Sequence, residues 1–343
     1  MEKRSRRKKK IADNEFKRQE LLKIKLEKKS PTKYLPRLKQ QNYFNLCLEK
    51  IKINQTPQFL ITQLVNEFSS YFICNHFIGT EPHIRLKNIS LPPNTNDILQ
   101  TNNIKKINNY DIVMCQVNYF DYFIDVILPQ INKKIILITS QMQLPQIHRS
   151  CKTDLLLKNK KIVLWISQNP IYRNNKKYMP FPYGLPYGNL VNYSNHLINY
   201  QYNKYIKNNL LSNLHATVHP HLSKNHVRKL YPIFQSHKKQ SYDDYINTIQ
   251  KSKFLISVTG DREDTYRHYE AIGLECIPIS NINLGYKQIF GDNMNYCDIN
   301  CILNSIKNNN VSKEYRKPNR DIITLSYWKN IIYKEIQKIK KNK

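Results

Sequence analysis

The 343 residues carry 55 Lys and Arg against 25 Asp and Glu, a formal net charge of +30. No run approaches the roughly 18 apolar residues of a membrane helix, and the seven scattered cysteines include no CxxC pair, so neither a zinc site nor a thioredoxin-type motif is indicated. The length predicts two domains, and a hydrophobic content of 40% is enough for two modest cores.

Residues 1–40 stand apart, with 16 Lys and Arg against 5 acids. The reading is a disordered or loosely helical basic tail, which also fits nuclear localisation or contact with an anionic surface. No apolar run follows MEKRSRRKKK, so no secretory signal is read there and a cytoplasmic setting is expected. Cys74, Cys115 and Cys276, in apolar runs, read as core residues and agree with that setting. The basic charge favours anionic partners in general. No zinc-finger, RNP or KH signature makes nucleic acid specific, and abundant Lys, Asn, Ile and Tyr also fit an AT-rich coding sequence.

Residues 41–188 read as one α/β domain. Apolar runs at Tyr71–Cys74, Asp111–Val117, Lys134–Thr139 and Lys161–Ile166 are predicted strands, with a helix over Tyr119–Gln130. Strands separated by helix-length gaps argue for a parallel sheet. The loops Ser140–Gln143 and Ser167–Pro170 follow strand ends, where open α/β sheets bind ligands. Pro182-Tyr183-Gly184-Leu185, nearly repeated as Pro186-Tyr187-Gly188, reads as a constrained crossover.

Residues 189–325 read as a second α/β domain. A polar helix is predicted over Tyr200–Leu211 and a strand over Asn213–Val218. The loop His219–Asn225 and a helix bearing Arg228 follow. His219, His221 and His226, without a carboxylate set, are a weak metal signal. Ser241–Lys251 reads as an amphipathic helix burying Tyr242, Tyr245, Ile246 and Ile249 as core. A short strand is expected at Tyr296–Asp298, and 326–343 forms a closing helix with a basic tail.

The most informative stretch is Lys251–Ser280, KSKFLISVTGDREDTYRHYEAIGLECIPIS. It reads as a strand at Phe254–Ile256, a polar loop over Ser257–Asp264, a helix over Thr265–Gly273 and a strand at Cys276–Ile279. Free N–H groups at such a helix start favour an anion. Two of the chain's 7 Gly, Gly260 and Gly273, fall inside it, and a loop Gly in so Gly-poor a chain marks a position that needs it. Arg262 and Arg267 lie here too, although Arg supplies only 13 of the 55 cations. Arg267 can hold a phosphate bidentately, and Glu270 can accept from a ribose diol. Asp264 reads as the helix cap. The same pattern also fits a βαβ unit that binds nothing.

The run S-K-F-L-I-S-x-x-G-x-x-x-D-T-x-R-x-x-E-A-I-x-L-x-C-I-P-I resembles the donor-site signature of exostosin-like glycosyltransferases over about 30 residues. The resemblance implies a GT-B architecture: two Rossmann-like domains facing a cleft, the C-terminal one holding a nucleotide-sugar. It places Arg267 on the diphosphate and Glu270 on the ribose, with Gly260, Ser257 and Thr265 in the donor loop. Arg228, beside the first loop of the second domain, is a further diphosphate candidate; Asp261, Glu263, Ser223 and Lys224 are weaker ones. It also implies that the last helix crosses back onto the first domain. The sequence departs from the family in Val258-Thr259-Gly260-Asp261-Arg262, where Pro and two Gly are usual, and in Tyr269, where Trp is usual.

The expected reaction is sugar transfer from a nucleotide-sugar to a glycan or protein acceptor. No D-x-D motif is present, so stabilisation of the leaving diphosphate is expected from Arg267, Arg228 and the helix N-terminus without a metal or other cofactor. No catalytic base can be chosen among Asp111, Asp121, Asp261 and Glu263. The alternatives are a non-catalytic glycan- or nucleotide-binding protein on the same fold and a basic polyanion-binding protein.

Overall fold

The computed structural model describes residues 59–60, 69–73, 101–140, 146–185, 209–212, 241–260 and 262–341. They all belong to one compact unit, Lys50–Lys343. The basic N-terminal segment, residues 1–40, lies outside the described residues.

Short apolar runs form the strands, as their composition requires. The first sheet contains β1 (Tyr71–Ile73), β2 (Ile112–Gln116), β3 (Ile135–Ser140), β4 (Ile162–Ser167) and β5 (Tyr178–Pro180). The strands hydrogen-bond in sequence order, and every neighbouring pair is parallel. β2 and β3 are buried at every residue, which is why they read as continuous apolar runs rather than alternating ones.

The connection between β2 and β3 is helical over 117–130, but it widens into a π turn at Phe123–Ile127. Pro129 follows, and its missing N–H removes an i−4 bond. The next connection contains α1 (Cys151–Lys158), opened by a reciprocal cap. Ser150 Oγ accepts from Thr153 N, and Ser150 N donates to Thr153 Oγ1 at 2.8 Å. Both helical segments pack on one face of the sheet. Phe123, Ile127, Leu156 and Leu157 share a buried cluster with Val113, Cys115, Ile135, Leu137 and Trp165. Strands added in sequence order by crossovers of constant hand put their connections on one face. Trp165 sits at the centre of the cluster, stacked on Phe120 at 5.6 Å and donating Nε1–H to Thr139 Oγ1 at 2.9 Å.

The second sheet contains β6 (Asn209–Ser212), β7 (Ser252–Ile256), β8 (Ile277–Ser280) and β9 (Asn295–Tyr296), again parallel and in sequence order. The α2 helix (Tyr242–Gln250) leads into β7, and α3 (Tyr266–Gly273) joins β7 to β8. Phe254, Ile256, Ile277 and Ile279 pack with Ile302 of α4 (Ile299–Asn308).

One expectation is corrected, and one bond appears that the sequence pattern does not indicate. Residues 209–211, read as the end of a helix, lie in β6 because β7 supplies the hydrogen-bonding edge that fixes Leu211 opposite Phe254; the strand read at 213–218 lies outside the described residues. Cys297 and Cys301 form a disulfide. Cys297 directly precedes the cap Asp298, whose Oδ1 accepts from Cys301 N at 2.8 Å, and this first turn of α4 sets Cys301 beside it. Disulfides persist mainly in oxidising compartments, so this bond runs against one argument for a reducing setting.

The closing helix α5 (Leu325–Lys341) buries Trp328, Ile332 and Ile336. It reaches back to the first sheet: Trp328 meets Phe181 at 5.7 Å, and Lys340 lies 5.5 Å over the ring of Tyr110. Leu60 joins the crossover after β5 to the start of α5, donating to Ile323 O at 2.8 Å and accepting from Leu185 N at 2.9 Å. Among the described residues no helix is long and apolar enough to cross a membrane.

Candidate functional site

The β7–α3 loop starts at Ser257, whose N–H is held by Ile279 O at 2.8 Å. Thr259 N donates to Asn281 Oδ1 at 2.9 Å, and Asn281 Nδ2 donates to Thr259 Oγ1 at 3.0 Å. The loops after β7 and β8 are thereby fixed to one another. A Cβ on Gly260 would meet nothing within 4 Å, and the residue is not in the left-handed region. The reading that this loop needs Gly for its shape is therefore corrected; Gly260 leaves bare backbone beside open space.

Asp264 does not cap the helix as expected. Its Oδ2 accepts from Tyr269 Oη at 2.6 Å and from the Tyr183 amide at 3.0 Å. Its Oδ1 lies 3.5 Å from His268 Nδ1. The His268 ring is fully buried, with Nε2 3.2 Å from Ser257 O. A carbonyl only accepts, so Nε2 carries a hydrogen. Asp264 is thus the hub joining the Pro182–Leu185 crossover to α3. Burial raises its pKa, opposed by His268, Tyr269 and Arg262.

Glu270, 6% exposed, receives the Tyr245 hydroxyl at 2.7 Å on one oxygen and the Tyr242 hydroxyl at 3.3 Å on the other. Burial raises its pKa, while Tyr245, the charge of Arg267 and Tyr242 pull it down. The guanidinium of Arg267 lies 6.0 Å from the Tyr245 ring centroid. The two tyrosines were expected to be plain core; their rings pack inward, but their hydroxyls belong to the Glu270 cluster. Their i, i+3 spacing on α2 was the available signal, though it did not show what the hydroxyls meet.

Arg262 lies 4.4 Å over the ring of Tyr183. Five buried side-chain atoms within 257–267 lack a hydrogen-bond partner among the described residues. They are Ser257 Oγ, Arg262 Nη1, Asp264 Oδ1, Thr265 Oγ1 and Arg267 Nε; Asp264 Oδ1 faces His268 Nδ1 at 3.5 Å and Thr265 Oγ1 faces the His268 amide as a helix cap, so the clearest deficits are Ser257 Oγ and the two guanidinium N–H groups. Buried polar groups are normally satisfied, so this concentration of unmet hydrogen-bonding capacity makes the loop the candidate site. Four of the five can donate, and two belong to cations.

The loops at the carboxyl ends of the two sheets touch. Arg173 Nη2 donates to Asn283 Oδ1 at 3.0 Å, and Tyr286 Oη donates to Gln168 O at 3.4 Å. A Cβ on Gly285 would come within 2.8 Å of Pro170 O, so this approach requires glycine. Ser140 Oγ donates to Gln168 Oε1 at 3.2 Å, joining the ends of β3 and β4.

The structure therefore brings Ser257, Gly260, Thr265, Arg267 and Glu270 into one loop–helix unit and leaves Glu263 partly exposed on it. Asp261, Ser223, Lys224 and Arg228 lie outside the described residues, as do 141–143, 186–188 and the histidines at 219, 221 and 226. Among the described residues no group of three or more His, Cys, Asp or Glu comes together as a metal site. No known protein family and no curated protein matches the chain.

Proposed function

We propose that the chain is a glycosyltransferase of the exostosin-like type, with two Rossmann-like domains facing a cleft in the GT-B manner and a nucleotide-sugar as donor. The observation that carries this reading is the set of unpartnered donors on 257–267, two of them guanidinium N–H groups, beside the open space at Gly260. Such donors are met by an anion, and the positive end of the dipole of α3, which starts there, adds to the attraction.

In this reading Arg267 holds the donor diphosphate, with Ser257, Thr265 and the Gly260 backbone around it. Glu270, which takes the Tyr245 and Tyr242 hydroxyls, accepts from the ribose. As the glycosidic bond breaks, negative charge grows on the leaving diphosphate, and fixed cations in a partly desolvated loop stabilise it without reorganisation. The acceptor is a glycan or protein, met by loops after β3 and β4.

The test is a thermal-unfolding screen against UDP-, GDP- and CMP-sugars, followed by a sugar-transfer assay with the donor that binds. One nucleotide class should stabilise the chain, by about 3 kcal/mol at a hundred times its Kd. Binding without transfer to any glycan or protein would leave a non-catalytic nucleotide- or glycan-binding protein. No stabilisation by any donor would refute the assignment.

A further inference from the structure

Arg262 has no counterpart in the signature that places Arg267 and Glu270, yet it is the best-positioned cation of the loop. We infer that Arg262 is a second anion-binding side chain of this site, held in place by the ring of Tyr183, so that the loop selects a diphosphate over a single phosphate. The inference rests on the nucleotide-sugar reading for where the ligand lies.

The guanidinium lies 4.4 Å over the Tyr183 ring. That contact is made to the face of the tyrosine ring, and a guanidinium has five N–H groups, more than one ring can engage. Nη1 is buried and has no hydrogen-bond partner among the described residues. A guanidinium kept only for packing would lose more by desolvating that N–H than an aromatic contact returns. An anion at the guanidinium edge removes the deficit.

Tyr183 is a firm platform. It is 2% exposed, its amide donates to Asp264 Oδ2 at 3.0 Å and to Tyr269 Oη at 2.9 Å, and its hydroxyl accepts from Tyr266 Oη at 3.1 Å. It comes from the crossover after β5, whereas Arg262 and Arg267 flank the start of α3. Anion binding by the second half of the chain thus depends on a residue from the first. Two guanidinium groups with unpartnered N–H, together with the Ser257 and Thr265 hydroxyls, match the charge and the oxygens of a diphosphate better than those of one phosphate. Arg262 touches the ligand; Tyr183 is a positioning residue.

Calorimetric titration of the full chain with inorganic pyrophosphate and with inorganic phosphate tests this. Wild type should bind pyrophosphate more tightly than phosphate. Arg262→Gln should weaken pyrophosphate by about ten- to a hundred-fold, the range for hydrogen bonds to charged groups, and phosphate by less. Tyr183→Leu should weaken pyrophosphate about two- to five-fold through the lost ring, and Tyr183→Phe should restore it. Arg262→Lys, which keeps charge without the planar fork, should fall between, and it is read in place of the Gln variant if that variant misfolds. Equal affinity of wild type for the two anions would overturn the diphosphate preference. Unchanged pyrophosphate affinity in the Arg262 variants would overturn its role, and in Tyr183→Leu the role of the ring. If these results hold but no nucleotide-sugar binds, the transferase reading fails and this inference stands.

Discussion

At the scale of single residues, Asp264 and Glu270 set the acid–base behaviour of the fold. Burial raises both above their ordinary values of 3.8 and 4.5. The native chain then binds more protons than the unfolded one between each ordinary value and its raised one. The contribution of these two groups to stability therefore falls as pH rises through that interval and levels off above it. Asp264→Asn keeps an oxygen for Tyr183 N and Tyr269 Oη and removes one ionisation. Urea unfolding at a series of pH values from 4 upward should therefore show a flatter decline for Asp264→Asn than for wild type. A decline of the same slope would mean that Asp264 is ionised in both states throughout. The hub role of Asp264 was not legible in the sequence. An Asp just before a helix reads as a cap, and nothing local shows that the Tyr183 amide arrives from 81 residues away.

At the scale of elements, two glycines show opposite requirements. Gly184 has φ +89°, and a Cβ there would lie 2.7 Å from Leu60 O. Gly184→Ala should cost about 1–3 kcal/mol, measured by chemical denaturation. Gly260 has neither constraint, so Gly260→Ala should change stability by no more than about 0.5 kcal/mol while weakening donor binding by placing a methyl group in the open space. A Gly260→Ala variant that unfolds readily, or binds donor as wild type does, would contradict this view of the loop. The strands and helices were largely legible because each is set by its own apolar pattern: IVMCQ, IILITS and SKFLI are strands where they read as strands. Asn209–Ser212 was not, since its extended form is set by pairing with β7 rather than by its own polar sequence. The Cys297–Cys301 bond was missed because cysteine count and spacing do not specify pairing.

At the scale of the molecule, α5 and the 59–60 segment hold the two sheets in one unit. Trp328 is 3% exposed, donates Nε1–H to Ile322 O at 2.8 Å and packs on Phe181. Trp328→Ala should cost about 3–5 kcal/mol, and a single cooperative unfolding transition in wild type should lose that much. Periodicity showed that α5 has a buried face, but not what covers it. The same holds for the meeting of the carboxyl-end loops, where Gly285, Asn283 and Tyr286 contact residues 168–173. Such contacts join residues more than a hundred positions apart, beyond the reach of local patterns.

The central claim is that residues 257–270 hold the diphosphate and ribose of a nucleotide-sugar. Its most direct test is calorimetric titration of wild type, Arg267→Ala and Glu270→Ala with UDP-, GDP- and CMP-sugars, each variant first checked for an unchanged unfolding profile. The account predicts one nucleotide class bound by wild type and affinity lower by about ten-fold or more in both variants. Equal affinity in wild type and both variants, or no binding of any donor by the folded chain, would contradict it.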